Sequence, residues 1–211
     1  MEYGSAGFSL RVLRDRQIVA IKGNQVKLLK KIACAIEALS EWSGRLSAWL
    51  VLLMVVIVGY DVAMRYLFQS GSVALQELEW HLFATIFLLA AAYTLKHDGH
   101  VRVDMFYQSR RLGARGRAWI DVLGCLFFLI PFCVLVISSS VPFVANSLRM
   151  GEGSPDPGGL PHRFVLKAMI IVGFALLLLQ GLAMLIRGVQ RLRAPRGDGD
   201  AKAAPPRGEA G

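Results

Sequence analysis

Asp61 and Arg65 stand four residues apart inside an otherwise apolar run. In a helix that spacing puts a carboxylate and a guanidinium on one face, within reach of each other. Ionisable side chains in such a run are costly, so they mark either a structural tie or a functional site. A second set gathers at the borders of two other apolar runs: Glu77, Glu79 and His81 at one, His162, Arg163 and Lys167 at the other. These types suggest one polar cluster in which Lys167 meets Glu79 or Asp61. Such a cluster docks another subunit, lines a solute path, or neutralises itself and fixes helix register. Self-compensating charge makes the last of these the default.

The remaining reactive side chains point to less. A b-type haem held across a helical bundle needs two axial imidazoles at one depth on facing helices, and His81 and His162 share a level. Both sit at the edges of their runs, while His97 and His100 lie around Gly99 in a basic connection. Interfacial polar residues are the simpler reading of all four. Ser138, Ser139 and Ser140 precede Pro142, where hydroxyls can bond carbonyls that proline frees, and Pro131 is expected to kink the same segment. Cys125 and Cys133 lie about 12 Å apart on a straight helix, beyond disulfide reach, so all three cysteines, Cys34 included, read as free thiols. No nucleophile–base pair or phosphate-loop glycine pattern stands out. An enzyme is not indicated, and no catalytic, cofactor-binding or metal-binding residue is expected.

The elements that must position these groups follow from how apolar residues and charge are segregated. The chain is 55% hydrophobic yet carries a net charge of +9. Its apolar residues fall in blocks of about 20, the length that crosses about 30 Å of hydrocarbon as helix. The expected fold is therefore all-α and membrane-embedded, with a four-helix domain over 48–190 and spans at about 48–68, 78–95, 119–144 and 164–186. Outside the spans, residues 1–47 hold eight Lys and Arg, 96–118 hold six and 187–211 hold six, against none in 69–77 and two in 145–163. That alternation places both termini and the middle connection in the cytoplasm. Within 26–47, Leu28, Ile32, Ala35, Leu39 and Trp42 recur at helical spacing beside Lys27, Lys30 and Lys31, which predicts an amphipathic helix lying on the anionic inner leaflet. Residues 1–25 read as a disordered extension or a start-site artefact, without a secretory signal, and 191–211 as a disordered tail. The basic segments border spans and lack interleaved aromatic residues, which argues against nucleic acid and for membrane lipid as what the charge meets.

Three stretches then carry a resemblance. DVAMRYLF, QELEWHLFATIFLLAAAYTLKHDGHVRVDMFY and GEGSPDPGGLPHRFVLKAMIIVGFALLLLQG, in that order on four helices, resemble the small membrane subunit of tripartite ATP-independent periplasmic (TRAP) transporters, the DctQ-like family, over residues 40–190. The resemblance implies a non-catalytic subunit in the bacterial inner membrane. It would pack beside the scaffold of a large permease subunit, which itself holds sodium ions and a solute such as an organic acid delivered by a periplasmic binding protein. Arg65 and Tyr66 match the family's Arg-Tyr closing the first helix, and Glu77 and Glu79 its acidic start of the second. His100, Arg102 and Asp104 match its cytoplasmic turn, and Asp156, Gly158, Gly159, Pro161 and Lys167 the outer loop of one branch. Ala90, Ala91 and Ala92 stand where many relatives carry glycine, a mild departure because alanine still permits close helix packing. Two other readings stay open: a haem- or quinone-holding redox anchor, and a self-sufficient transporter or small subunit of another three-part importer.

Overall fold

A computed structural model describes residues 5–97 and 114–193, with side chains at 27–97, 116 and 118–192. The described residues are helical apart from the short connections. The elements are α1 (Ser5–Leu67), α2 (Val73–Lys96), α3 (Ala114–Gly124), a π-helical turn (Cys125–Leu129), α4 (Ile130–Arg149) and α5 (Phe164–Arg193). Four stretches are long and apolar enough to cross a membrane: Lys27–Leu67, Val73–Lys96, Ala118–Arg149 and Phe164–Leu192. The four spans expected from the apolar blocks are thus present, each extended at one end or both.

The largest extension is in α1. No break separates residues 26–47 from the first span, and the helix already begins at Ser5, within the segment expected to be disordered. The reason lies on its inward face. Ser40, Ser43 and Ser47 are buried and Ala33 is 2% exposed, while Leu28, Ile32, Leu39 and Trp42 point away from the bundle. Small residues inside and bulky apolar ones outside is the pattern of helices that pack in lipid, where lipid solvates leucine well and close approach supplies the attraction. Ser43 and Ser47 satisfy themselves on their own helix, Ser43 donating to the Ser40 carbonyl at 2.8 Å and Ser47 to that of Ser43 at 2.9 Å.

The third span is one rod interrupted by the π turn. There the N–H of Ile130 reaches back five residues to the Cys125 carbonyl. Pro131 follows immediately; it has no N–H to donate and its ring crowds the carbonyl four residues earlier. Widening the preceding turn relieves that crowding, so the expected disturbance takes the form of a π bulge. The serine expectation is corrected. Ser138 donates to the Leu135 carbonyl at 2.9 Å, and that carbonyl is freed by neither proline.

α5 packs against every other helix, and the third span meets the rest chiefly through it. Glycines make this hub possible. A Cβ on Gly173 would lie 2.7 Å from the Leu88 Cβ and 3.0 Å from its carbonyl oxygen, so α2 and α5 touch almost backbone to backbone. On the neighbouring hairpin, Gly44 of α1 leaves room for the Tyr93 ring of α2. Ala92 is fully buried. All three cysteines are free; Cys125 and Cys133 are buried, and the Cys125 thiol donates to the Gly181 carbonyl at 3.1 Å.

Candidate functional site

Polar groups concentrate at two levels. One is the loop end, which carries the α1–α2 and α4–α5 connections; the other is the basic end, opposite it. At the loop end the hub is Glu77, in the first turns of α2 and 4% exposed. One carboxylate oxygen, Oε1, accepts from the Ser154 hydroxyl and stands 3.9 Å from the Arg163 guanidinium; the other, Oε2, accepts the Leu160 backbone N–H at 2.6 Å. A carboxylate is suited to this place because it offers several acceptor sites to converging donors. The 150–163 loop is thereby strapped across the start of α2.

The loop is built to reach that carboxylate. Gly158 has φ +80° and Gly151 φ +59°, a left-handed backbone that glycine adopts without steric cost. Gly159 must be small for another reason: a Cβ there would lie 2.8 Å from Glu77 Oε2 and collide with Ser154. The Asp156 N–H donates to the Ser154 hydroxyl at 3.1 Å and its carbonyl receives the Gly159 N–H at 3.0 Å, closing a tight turn ahead of exposed Pro161. The Arg163 N–H donates to the Glu152 carbonyl at 3.0 Å, and the Arg163 guanidinium lies 5.4 Å from the centre of the Trp80 ring.

Lys167 does not meet Glu79 or Asp61, which corrects the expected pairing. Its ammonium donates to Glu152 and sits 4.1 Å over the Phe143 ring. The loop folds back on the start of α5, and that brings a nearer carboxylate than either helix offers. Lys167 donating to its carboxylate holds the Glu152 carboxyl below its ordinary value. Asp61 and Arg65 do pair as their spacing predicts, with Asp61 2% exposed and Asp61 Oδ1 left without a hydrogen-bond partner among the described residues. Tyr66 is 80% exposed beside them. Glu79 is half-buried. His81 Nδ1 lies 2.6 Å from the Glu77 carbonyl and its ring rests on Trp80, while His162 (φ +65°) stacks edge-on to Phe164, so each imidazole is packed within its own segment.

The basic end carries ties that sequence reasoning missed. Glu41 of α1 accepts from Lys96 at 2.6 Å and lies 3.2 Å from His97; Glu37 accepts from Arg187 of α5. Just inside them the Ser40 hydroxyl donates to Gln180 Oε1 at 2.8 Å, linking α1 to α5 across 140 residues. The available signals were Gln180 in the run LLLLQGLA and two glutamates in a lysine-rich helix. His100, Arg102 and Asp104 lie outside the described residues.

Four apolar spans held by a strap at one end and cross-helix ion pairs at the other is an architecture, and many membrane proteins share it. The decisive observation is the agreement of the chain, from within the first span to the end of the fourth, with one family. A family model described as tripartite ATP-independent periplasmic transporters, DctQ component, matches residues 54–191. The chain belongs to the DctQ family. It is thus the small permease component of a TRAP transporter, a multi-pass protein of the inner membrane. The match takes in the Asp61–Arg65 pair, the Glu77 hub and the whole strapping loop, while Glu37, Ser40 and Glu41 lie ahead of it. Comparison with curated proteins and with solved structures gives no match.

Proposed function

We propose that this DctQ component is a non-catalytic subunit that packs against and stabilises the stationary scaffold of the large permease in a sodium-coupled TRAP transporter. The solute, such as an organic acid, arrives on a periplasmic binding protein, and sodium is handled by the large subunit. The observation that carries this reading is the outward face of α1. Leu39, Trp42, Trp49, Leu53, Val56 and Tyr60 follow one another at alternating three- and four-residue or seven-residue steps, each between 40% and 71% exposed. Residues so spaced form one stripe along a helix. The stripe is bulky and turned away from its own bundle, as a surface for a partner helix and lipid needs to be. The Arg163–Glu77 contact at one end and the Lys96–Glu41 and Arg187–Glu37 pairs at the other suit a rigid supporting part, because each links elements that would otherwise slide.

The orientation in this reading keeps both termini cytoplasmic, on the strength of the Lys and Arg asymmetry. The loop end, with the Glu77 strap, then faces the periplasm. Arg65, Tyr66 and Glu79 at that end serve docking, as do His100, Arg102 and Asp104 at the cytoplasmic face. Co-expression of a tagged chain with the large subunit tests the interface. Trp49→Ala with Tyr60→Ala lowers recovery of the large subunit while leaving the chain in the membrane; undiminished recovery would remove this face from the interface.

A further inference from the structure

Between α1 and α5 at the basic end lies a cavity of about 500 Å³ lined by Lys30, Ala33, Arg187, Gln190 and Arg191. Three of its five lining residues are cations. Arg187 is already matched by Glu37, but Lys30 and Arg191 have no carboxylate partner among the described residues. The cavity therefore sets two uncompensated positive charges beside a third that is already matched, and the group that answers them is an anion rich in oxygen.

Depth identifies its source. Ser40 and Gln180 are hydrogen-bonded and so share a level, and the two helices run antiparallel. Lys30 and Gln190 each lie ten residues beyond, about 15 Å further along the axis, and therefore share a level too. Measured from the middle of the apolar run of α5, Gln190 lies about 22 Å out. The hydrocarbon ends about 15 Å from the midplane and the headgroups at about 20–22 Å, so the cavity opens at the phosphate layer. That placement follows from helix geometry and holds whichever way the chain is inserted. We infer that Lys30 and Arg191 form a binding site for the phosphodiester of an anionic phospholipid, seated between α1 and α5 in the cavity that Gln190 and Ala33 also line. Arg187, held by Glu37, borders the site. A guanidinium suits two phosphate oxygens at once, and the lysine supplies a compact charge.

The test uses the purified full-length chain in detergent and native mass spectrometry with dioleoyl phosphatidylglycerol as probe. Dioleoyl phosphatidylcholine and inorganic phosphate are run alongside. Wild type binds phosphatidylglycerol in preference to phosphatidylcholine, and excess inorganic phosphate leaves it bound. A cation at the membrane surface is worth about fivefold in affinity for anionic lipid, so Lys30→Ala with Arg191→Ala weakens phosphatidylglycerol binding roughly 25-fold. Lys30→Arg with Arg191→Lys restores it, which separates loss of charge from loss of fold. Arg149→Ala, at the other end of the bundle, changes nothing. Unaltered binding in the double alanine variant, equal loss of phosphatidylcholine, or displacement of the lipid by inorganic phosphate would each overturn the site. None of these readouts depends on the large subunit, so they stand or fall apart from the scaffold role.

Discussion

Glu77 of α2 and Leu160 of the α4–α5 loop, 83 residues apart in sequence, meet through a 2.6 Å hydrogen bond from backbone N–H to carboxylate. With the Ser154 hydroxyl on the other oxygen, this one side chain fastens the second half of the chain to the first at the loop end. Loops that contact a bundle through few groups open locally when one is lost. Replacing Glu77 by Ala leaves the Ser154 hydroxyl and the Leu160 N–H without their acceptor. Protease nicking within 150–163 should then accelerate several-fold while the helical content holds; an unchanged nicking rate would show that the strap is fastened elsewhere.

Glu152 makes the same loop sensitive to acid. Its carboxyl lies below the ordinary value of 4.5 because Lys167 donates to the charged form. A carboxyl whose pKa is lowered by folding contributes stability above its unfolded value, and that contribution fades as pH falls through the folded value. Nicking of the loop should be flat from neutral pH down to about 5 and rise below it. Glu152→Gln should shrink the step, leaving the part that comes from the Glu77 carboxylate holding the same loop, and a step of undiminished size would mean that Glu152 contributes nothing to it.

The α2–α5 contact permits a sharper test of packing. Gly173→Val drives a side chain into Leu88 and should cost about 1–3 kcal/mol, the usual range for overpacking. Gly59, where an added Cβ would meet nothing within 4 Å, is the control. Gly59→Ala should be neutral or stabilising, by up to about 1 kcal/mol of helix propensity. Thermal denaturation in detergent reads both, and equal midpoints for the two variants would deny the close approach.

The Ser40–Gln180 bond is predicted to be modest. Interhelical hydrogen bonds in membranes couple by about 0.6 kcal/mol on average, because the separated helices find other partners. A double-mutant cycle with Ser40→Ala and Gln180→Leu should return a value near that, and a coupling of zero would mean the bond contributes nothing to helix pairing.

How much of this was legible in the sequence depended on the range of the interaction concerned. Apolar blocks of about 20 residues show four spans, because the thickness of hydrocarbon constrains each block by itself. The Asp61–Arg65 pair was equally local, as i and i+4 on a helix always neighbour. Lys167 was not: its partner depended on how the 150–163 loop folds back, and the nearby Glu152 won over Glu79 and Asp61. The Glu77 hub could be anticipated as a residue but not as a geometry, since the Leu160 N–H that meets it is backbone and leaves no trace in residue type. Residues 26–47 show a third case. Their apolar stripe is real but faces outward, and the serines between were the signal that this stretch packs against α5.

The supporting role is tested most directly by uptake into vesicles. The large permease is reconstituted with and without this chain, given an inward sodium gradient and supplied with solute-loaded binding protein. Addition of the chain should raise sodium-dependent uptake well above that of the large subunit alone, and vesicles holding only this chain should take up nothing. Uptake by the chain alone, or an undiminished rate without it, would contradict the account.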